Sequence, residues 1–162
     1  MRTRDNSTGW WRRLFGGGRS APPLDPDRED LVVVASCFDD VEACSTTLER
    51  AASETPVWRA GEEAVLRHHL RLPATSVGEA ESIAAQDGYR PRRTGVAVAD
   101  ASDASGAAEG TAELVLQRVQ VLDALHCSQE RSRMAGLAQR LGGDVAGWDA
   151  MQPVRETDAQ GN

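Results

Sequence analysis

The stretch AVLRHHLRL, residues 64–72, alternates so strictly that it constrains the fold more than any other part of the chain. At the two-residue period of a strand, Leu66, His68, Leu70 and Leu72 share one face, while Arg67, His69 and Arg71 share the other. One apolar and one charged face demand a sheet that is covered on one side only. The adjacent histidines therefore point apart, and a single metal ion cannot take ligands from both faces of a sheet. His68 reads as a buried neutral imidazole held by one hydrogen bond. His69 falls on an outward stripe with Arg67 and Arg71, which Arg90, Arg92 and Arg118 on neighbouring strands would extend.

The flanking segments supply the rest of that sheet. LVVVAS, 31–36, is a β-branched run suited to a buried strand. Phe38-Asp39-Asp40 opens a capped helix over 39–53, striped by Val41, Cys44, Leu48, Ala51 and Ala52, and Pro56 stops it. VWRA, 57–60, predicts a short strand, and Gly61 a turn into 64–72. Ser76 and Glu79 form a capping-box pair for a helix over 76–87 with Val77, Ala80, Ile83 and Ala84 inward, ended by Gly88. Tyr89 opens the next strand. ADASDASGAAEG, 99–110, reads as a hairpin excursion with a disordered tip. ELVLQRVQVLD, 113–123, is a strand; the helix over 124–141 presents Leu125, Met134, Leu137, Ala138 and Leu141 before Gly142-Gly143. DVAGWDAM, 144–151, is the last strand, with Trp148 its core anchor and Gly147 allowing close backbone approach.

From residue 64 the order is strand, helix, strand, strand, helix, strand, the split βαβ pattern of ferredoxin-like domains. The expected fold is α+β: a mainly antiparallel sheet with helices on one face, extended by an N-terminal strand-helix unit. Residues 1–29 read as a disordered basic leader, 30–152 as a single domain and 153–162 as a disordered tail.

Composition narrows the function. The 162 residues carry a formal charge of −7, and five arginines against Asp5 make residues 1–20 basic, so the body is more acidic than the whole. An acidic body lacks the broad positive field that duplex binding needs, so no direct nucleic-acid contact is expected. Cys37, Cys44 and Cys127 have neither disulfide-framework nor zinc spacing. With no apolar run approaching the roughly 18–20 residues of a membrane span and no secretory h-region, a cytoplasmic protein is expected. All eighteen basic residues other than histidine are arginine, which identifies no ligand.

The remaining motifs point away from catalysis. Asp123, His126 and Ser128 suggest a triad but crowd within six residues at a helix start, where their side chains are expected to diverge. Cys127 beside His126 reads as an inert small hydrophobe. GGGR lacks the ending of a phosphate loop. GWWRRLF, 9–15, has the composition of a membrane-interface or docking segment but is too short to anchor alone. No enzyme, metal site or cofactor is expected.

RHHLRLP, a helix closing in QDGY, and QERSRMAGLAQRLGGDVAGWDAMQP together resemble the RraB family, regulators of ribonuclease E activity. The resemblance covers about residues 64–151 and rests on His68-His69-Leu70, Gly88-Tyr89, the helix around Met134 to Leu141, and Gly147-Trp148. It implies a ferredoxin-like fold and a non-catalytic inhibitor that binds an endoribonuclease and alters RNA decay. His68, Gly88, Tyr89, Gly147 and Trp148 would be structural. Three departures stand out: Ala146 replaces the aspartate of Asp-Gly-Trp, the acidic tail is missing, and 31–53 is added. The expected partner contact is the outward face with Arg67, His69 and Arg71, where charge reversal at Arg67 and Arg71 should leave the fold intact. The alternatives are a ferredoxin-like sensor with a small-ligand site between the added unit and the main sheet, or a protein-interaction adaptor unrelated to RNA decay.

Overall fold

The structure, a computed structural model, describes residues 22–92 and 110–155. The elements in chain order are β1 Leu31–Cys37, α1 Cys44–Ala51, β2 Glu63–Pro73, a 3-10 turn Ala74–Ser76, α2 Val77–Gln86, β3 Arg90–Pro91, β4 Thr111–Val121, α3 Ala124–Arg140 and β5 Asp144–Pro153. The five strands form one sheet in the order β1-β5-β2-β4-β3, and every neighbouring pair is antiparallel. The chain is therefore α+β. β2 and β3 run the same way with β4 between them, and β4 and β5 run the same way with β2 between them.

The alternation of β2 determines which side is covered. Ala64, Leu66, Leu70 and Leu72 are buried with helix residues, and their partners across β4 and β5 continue the same face. One part of the core joins Cys37, Leu48, Leu66, Leu122, Cys127 and Trp148 beneath α1 and the start of α3. The other joins Leu70, Leu72, Ala84, Leu114, Met134 and Leu137 beneath α2 and the rest of α3. All three helices thus lie on one face of the sheet. At 25 cal/mol per Å², each fully buried leucine contributes on the order of 1.5–3 kcal/mol, so burying this face is the main stabilising term.

Several local expectations change. The first helix begins at Cys44 rather than 39, because Asp39 Oδ1 accepts the Val41 N–H at 2.9 Å and so closes a turn instead of capping a helix. Val41 is consequently exposed rather than inward. Ser76 lies within the 3-10 turn and makes no side-chain cap, so the capping box with Glu79 does not form. VWRA is a loop, not a strand; it drops Trp58 into the core beside α1. α3 does have a side-chain cap, as Asp123 Oδ1 accepts the His126 N–H at 2.8 Å. The same carboxylate meets His126 Nδ1 at 2.8 Å, so these two side chains converge rather than diverge, as an exposed cap pair.

Gly88 terminates α2 at φ +78°, with the Tyr89 N–H returning to the Ala84 carbonyl at 3.1 Å; a side chain there would be strained. The body reaches further towards both termini than the expected 30–152. Residues 22–29, assigned to the disordered leader, bond back to the body: Leu24 N–H donates to Glu63 Oε2 at 2.7 Å, and Asp27 pairs with Arg90 at 3.0 Å. Residues 153–155, assigned to the tail, do the same, with Val154 N–H donating to the Asp30 carbonyl at 2.8 Å and Arg155 paired with Glu62. The GWWRRLF segment and the hairpin excursion 99–110, up to its last residue, lie outside the described residues. Among the described residues no helix is long and apolar enough to cross a membrane.

Candidate functional site on the open sheet face

The side of the sheet opposite the helices carries the residues singled out for binding. Register places Arg67 directly across from Asp149, and His69 across from Gly147. The Asp149 carboxylate therefore sits between the guanidinium and the imidazole. Arg67 Nε donates to Oδ1 at 2.5 Å, and His69 Nε2 lies 2.7 Å from Oδ2. A carboxylate only accepts, so Nε2 carries the proton of this hydrogen bond. The Asp149 side chain is 5% exposed. Burial pushes its pKa up, but the hydrogen bonds from His69 and Arg67, with their charges, outweigh that and hold it below the ordinary carboxylate value.

The expected free basic stripe is thus not free. Arg67 is largely buried against Asp149, and Arg118 faces the helices, opposite Leu66 on β2. Reversing the charge of Arg67 would set two carboxylates together in a dry site, so the expectation that this change spares the fold is corrected. Only Arg71, 54% exposed and 4.0 Å from Asp144, stands clear of the sheet. A β-bulge between His69 and Leu70 leaves Ala146 as the extra residue on β5.

A feature of the added unit completes this surface. Phe38, 58% exposed, follows β1 and packs its ring 5.2 Å from that of His69. Gly147 makes room for it: a Cβ there would stand 2.6 Å from the Cys37 carbonyl and 2.4 Å from the Phe38 ring. The loop behind Phe38 is fixed by Arg131, whose guanidinium donates to the carbonyls of Asp39, Asp40 and Glu42 at 3.1, 2.7 and 2.7 Å. Between Phe38, His69, Arg71 and Asp144 lies a recess of about 420 Å³, and no hydroxyl or thiol side chain lines it.

On the helix side, the second histidine and Tyr89 form a separate assembly. The Tyr89 hydroxyl donates to Glu130 Oε2 at 2.8 Å, Arg118 Nη2 donates to Glu130 Oε1 at 3.0 Å, and the Arg118 guanidinium covers the Tyr89 ring at 4.8 Å. Burial, then the hydrogen bond to Glu130, drive the Tyr89 phenol far above its ordinary pKa, so it remains a donor. His68 packs 5.8 Å from the Tyr89 ring, completely buried. The single hydrogen bond expected for it is missing: neither ring nitrogen has a partner among the described residues. Burial pushes its pKa down from 6.5 to about 3, and the ring is neutral.

That orphaned ring has a measurable consequence. In the unfolded chain His68 takes a proton near its ordinary value of 6.5, whereas in the fold it does so only near 3. The unfolded state binds more protons across that window, so stability falls as pH drops through it. His68→Leu is expected to remove that part of the acid sensitivity and to leave stability at pH 7 unchanged or raised by about 1–3 kcal/mol. Urea melts of both proteins from pH 7 to pH 4 measure this; parallel loss of stability in the two would show that the folded ring takes up its proton as readily as the unfolded one.

Cys37, Cys44 and Cys127 are free and buried, and burial, with the neighbouring Cys44 thiol, raises the Cys127 pKa far above the ordinary thiol value. No group of His, Cys, Asp or Glu side chains suited to a metal ion occurs among the described residues. The sequence singled out Arg67, His69 and Arg71 but missed Asp149, Phe38 and Arg131. Asp149 shares its strand face with Gly147, which was a legible signal; its partners became visible only through the β2–β5 register. No family model, curated protein or solved structure matches the chain.

Proposed function

We propose that this protein is a non-catalytic regulator built on a ferredoxin-like domain, which binds an endoribonuclease of the ribonuclease E type in the cytoplasm and so modulates RNA decay. The ferredoxin-like reading rests on the split order of β2 to β5. The partner rests on the resemblance over residues 64–151. One observation carries the mode of action: the polar groups of the open face neutralise one another around Asp149, while a fixed aromatic and an arginine, Phe38 and Arg71, flank the recess. Aromatic rings and arginines are the usual anchors of protein interfaces, and a ring fixed in advance loses little freedom on docking. The contact is thereby moved from the Arg67, His69 and Arg71 stripe to the rim formed by Phe38, His69 and Arg71.

Calorimetry of the purified chain against a ribonuclease E-type enzyme tests this reading. Arg71→Glu and Phe38→Ser are each expected to weaken binding by at least about tenfold, the loss of one hot-spot contact. Arg71→Glu should change stability by no more than about 0.5 kcal/mol, because the side chain is exposed. Unchanged affinity in both variants would move the interface elsewhere. If the enzyme does not bind the parent even at low salt, the regulator reading fails.

A further inference from the structure

The face opposite the helices carries an apolar row of its own. Val33 on β1, Met151 on β5, Val65 on β2 and Val119 on β4 stand opposite one another in register, so all four project to the side of Arg67 and His69. Val65 belongs to neither part of the core beneath the helices, yet it is 0% exposed, and Met151 is 9% exposed. The row is therefore covered on the face that has no helices. Its cover is the segment that precedes β1, together with Arg92, whose Nη1 reaches Met151 Sδ at 3.6 Å. Within residues 22–29 only Leu24 and Pro26 are half-buried, and the others are exposed.

This cover is lightly attached. Ahead of Asp30 its polar bonds to the body are Leu24 N–H to Glu63 Oε2 at 2.7 Å and Asp27 to Arg90 at 3.0 Å, both at the surface. Exposed contacts of this kind contribute little and weaken in salt. A water-open cleft of about 600 Å³ remains between the segment and the sheet, so the packing beneath it is incomplete. The segment holds its own turn, with the Asp27 N–H on Asp25 Oδ1 at 3.0 Å and the Arg28 N–H on the Asp25 carbonyl at 3.4 Å. The Val154 N–H on the Asp30 carbonyl, at 2.8 Å, fixes its far end as a hinge. A unit with few buried contacts and exposed bonds opens at a free energy well below that of global unfolding.

We propose that residues 22–29 form a displaceable strap, an autoinhibitory cover over an apolar docking strip. With the strap swung out about Asp30, the row continues along β2 from Val65 to Arg67 and His69, and so to the rim formed with Phe38 and Arg71. The occupant that takes the strap's place is an apolar segment of the protein partner, and this half of the inference rests on the regulator reading above. Binding then includes the cost of displacing the strap, so loosening the strap raises the apparent affinity.

The experiment compares the full chain with the double variant Glu63→Ala/Arg90→Ala, which removes both attachments without changing the net charge. Hydrogen exchange read by mass spectrometry is expected to show the amides of residues 24–30 exchanging about tenfold faster in the variant, with those of β5 unchanged. In calorimetry the variant should bind the ribonuclease E-type enzyme about tenfold more tightly than the parent, the same factor by which the open state gains population. Strap amides that exchange at one rate in both proteins, or that change only by the same factor as β5, would make the segment a fixed part of the fold and overturn the proposal. Equal affinity of parent and variant for the enzyme would overturn the autoinhibitory role while leaving the regulator reading in place. An enzyme that binds neither protein would remove the regulator reading and the partner's part of this inference with it, and the exchange rates would still decide whether the strap opens.

Discussion

Trp148→Ala is expected to cost about 3–5 kcal/mol, a large share of the roughly 5–15 kcal/mol that holds a domain of this size. The indole is 1% exposed and lies where β5 crosses the middle of the sheet, opposite His68 on β2 and Cys37 on β1. It belongs to the part of the core shared by α1, α3 and the loop residue Trp58, so its removal leaves a cavity whose walls come from separate elements and cannot readily collapse. Its Nε1–H has no partner among the described residues, so its contribution is one of packing and not of hydrogen bonding. Trp148→Phe, which retains a ring and removes that unpaired donor, should lose less than half as much. Urea denaturation measures both; an alanine variant unfolding at the parent's midpoint would remove Trp148 from the core.

The second large effect is expected at Asp149. Asp149→Ala removes the shared acceptor of Arg67 and His69 and leaves a mostly buried guanidinium without its counter-charge. Breaking a buried pair from one side costs about 3–5 kcal/mol, more than the intact pair contributes, because the remaining charge has lost its water as well as its partner. The pH dependence follows from the direction of the shift. The folded carboxyl titrates below its unfolded value, so the unfolded state takes up the proton first as pH falls. The stabilisation is therefore complete above the unfolded pKa of about 3.9 and disappears as pH falls through the lower folded value. The alanine variant should be less stable than the parent at pH 7, and the difference should narrow in strong acid. A constant difference down to pH 2 would mean that Asp149 acts through packing and not through charge.

The sequence by itself determined the elements and the facing of the central strand. The two-residue period of 64–72 needs only local stereochemistry, because successive side chains of a strand point to opposite faces whatever it pairs with. That is why Leu66 and Leu70 could be assigned inward and Arg67 and Arg71 outward before any neighbour was known. Gly88 was legible for a similar reason, since the end of a helix demands a left-handed residue at a fixed offset from its last turn. Local competition misled the reading at Asp39 and Ser76, which close turns of their own or lie within one rather than cap helices. The partner of each charge was decided only by tertiary structure. Arg67 and Asp149 are 82 residues apart and meet because β5 returns beside β2 in one particular register. A shift of one residue would turn Asp149 to the helix face and Trp148 to the open one. What appeared to be a free basic stripe became a cluster held around Asp149. Periodicity assigns a side chain to a face; only the register, the crossing connections and the segment folded over that face determine which charges it meets there.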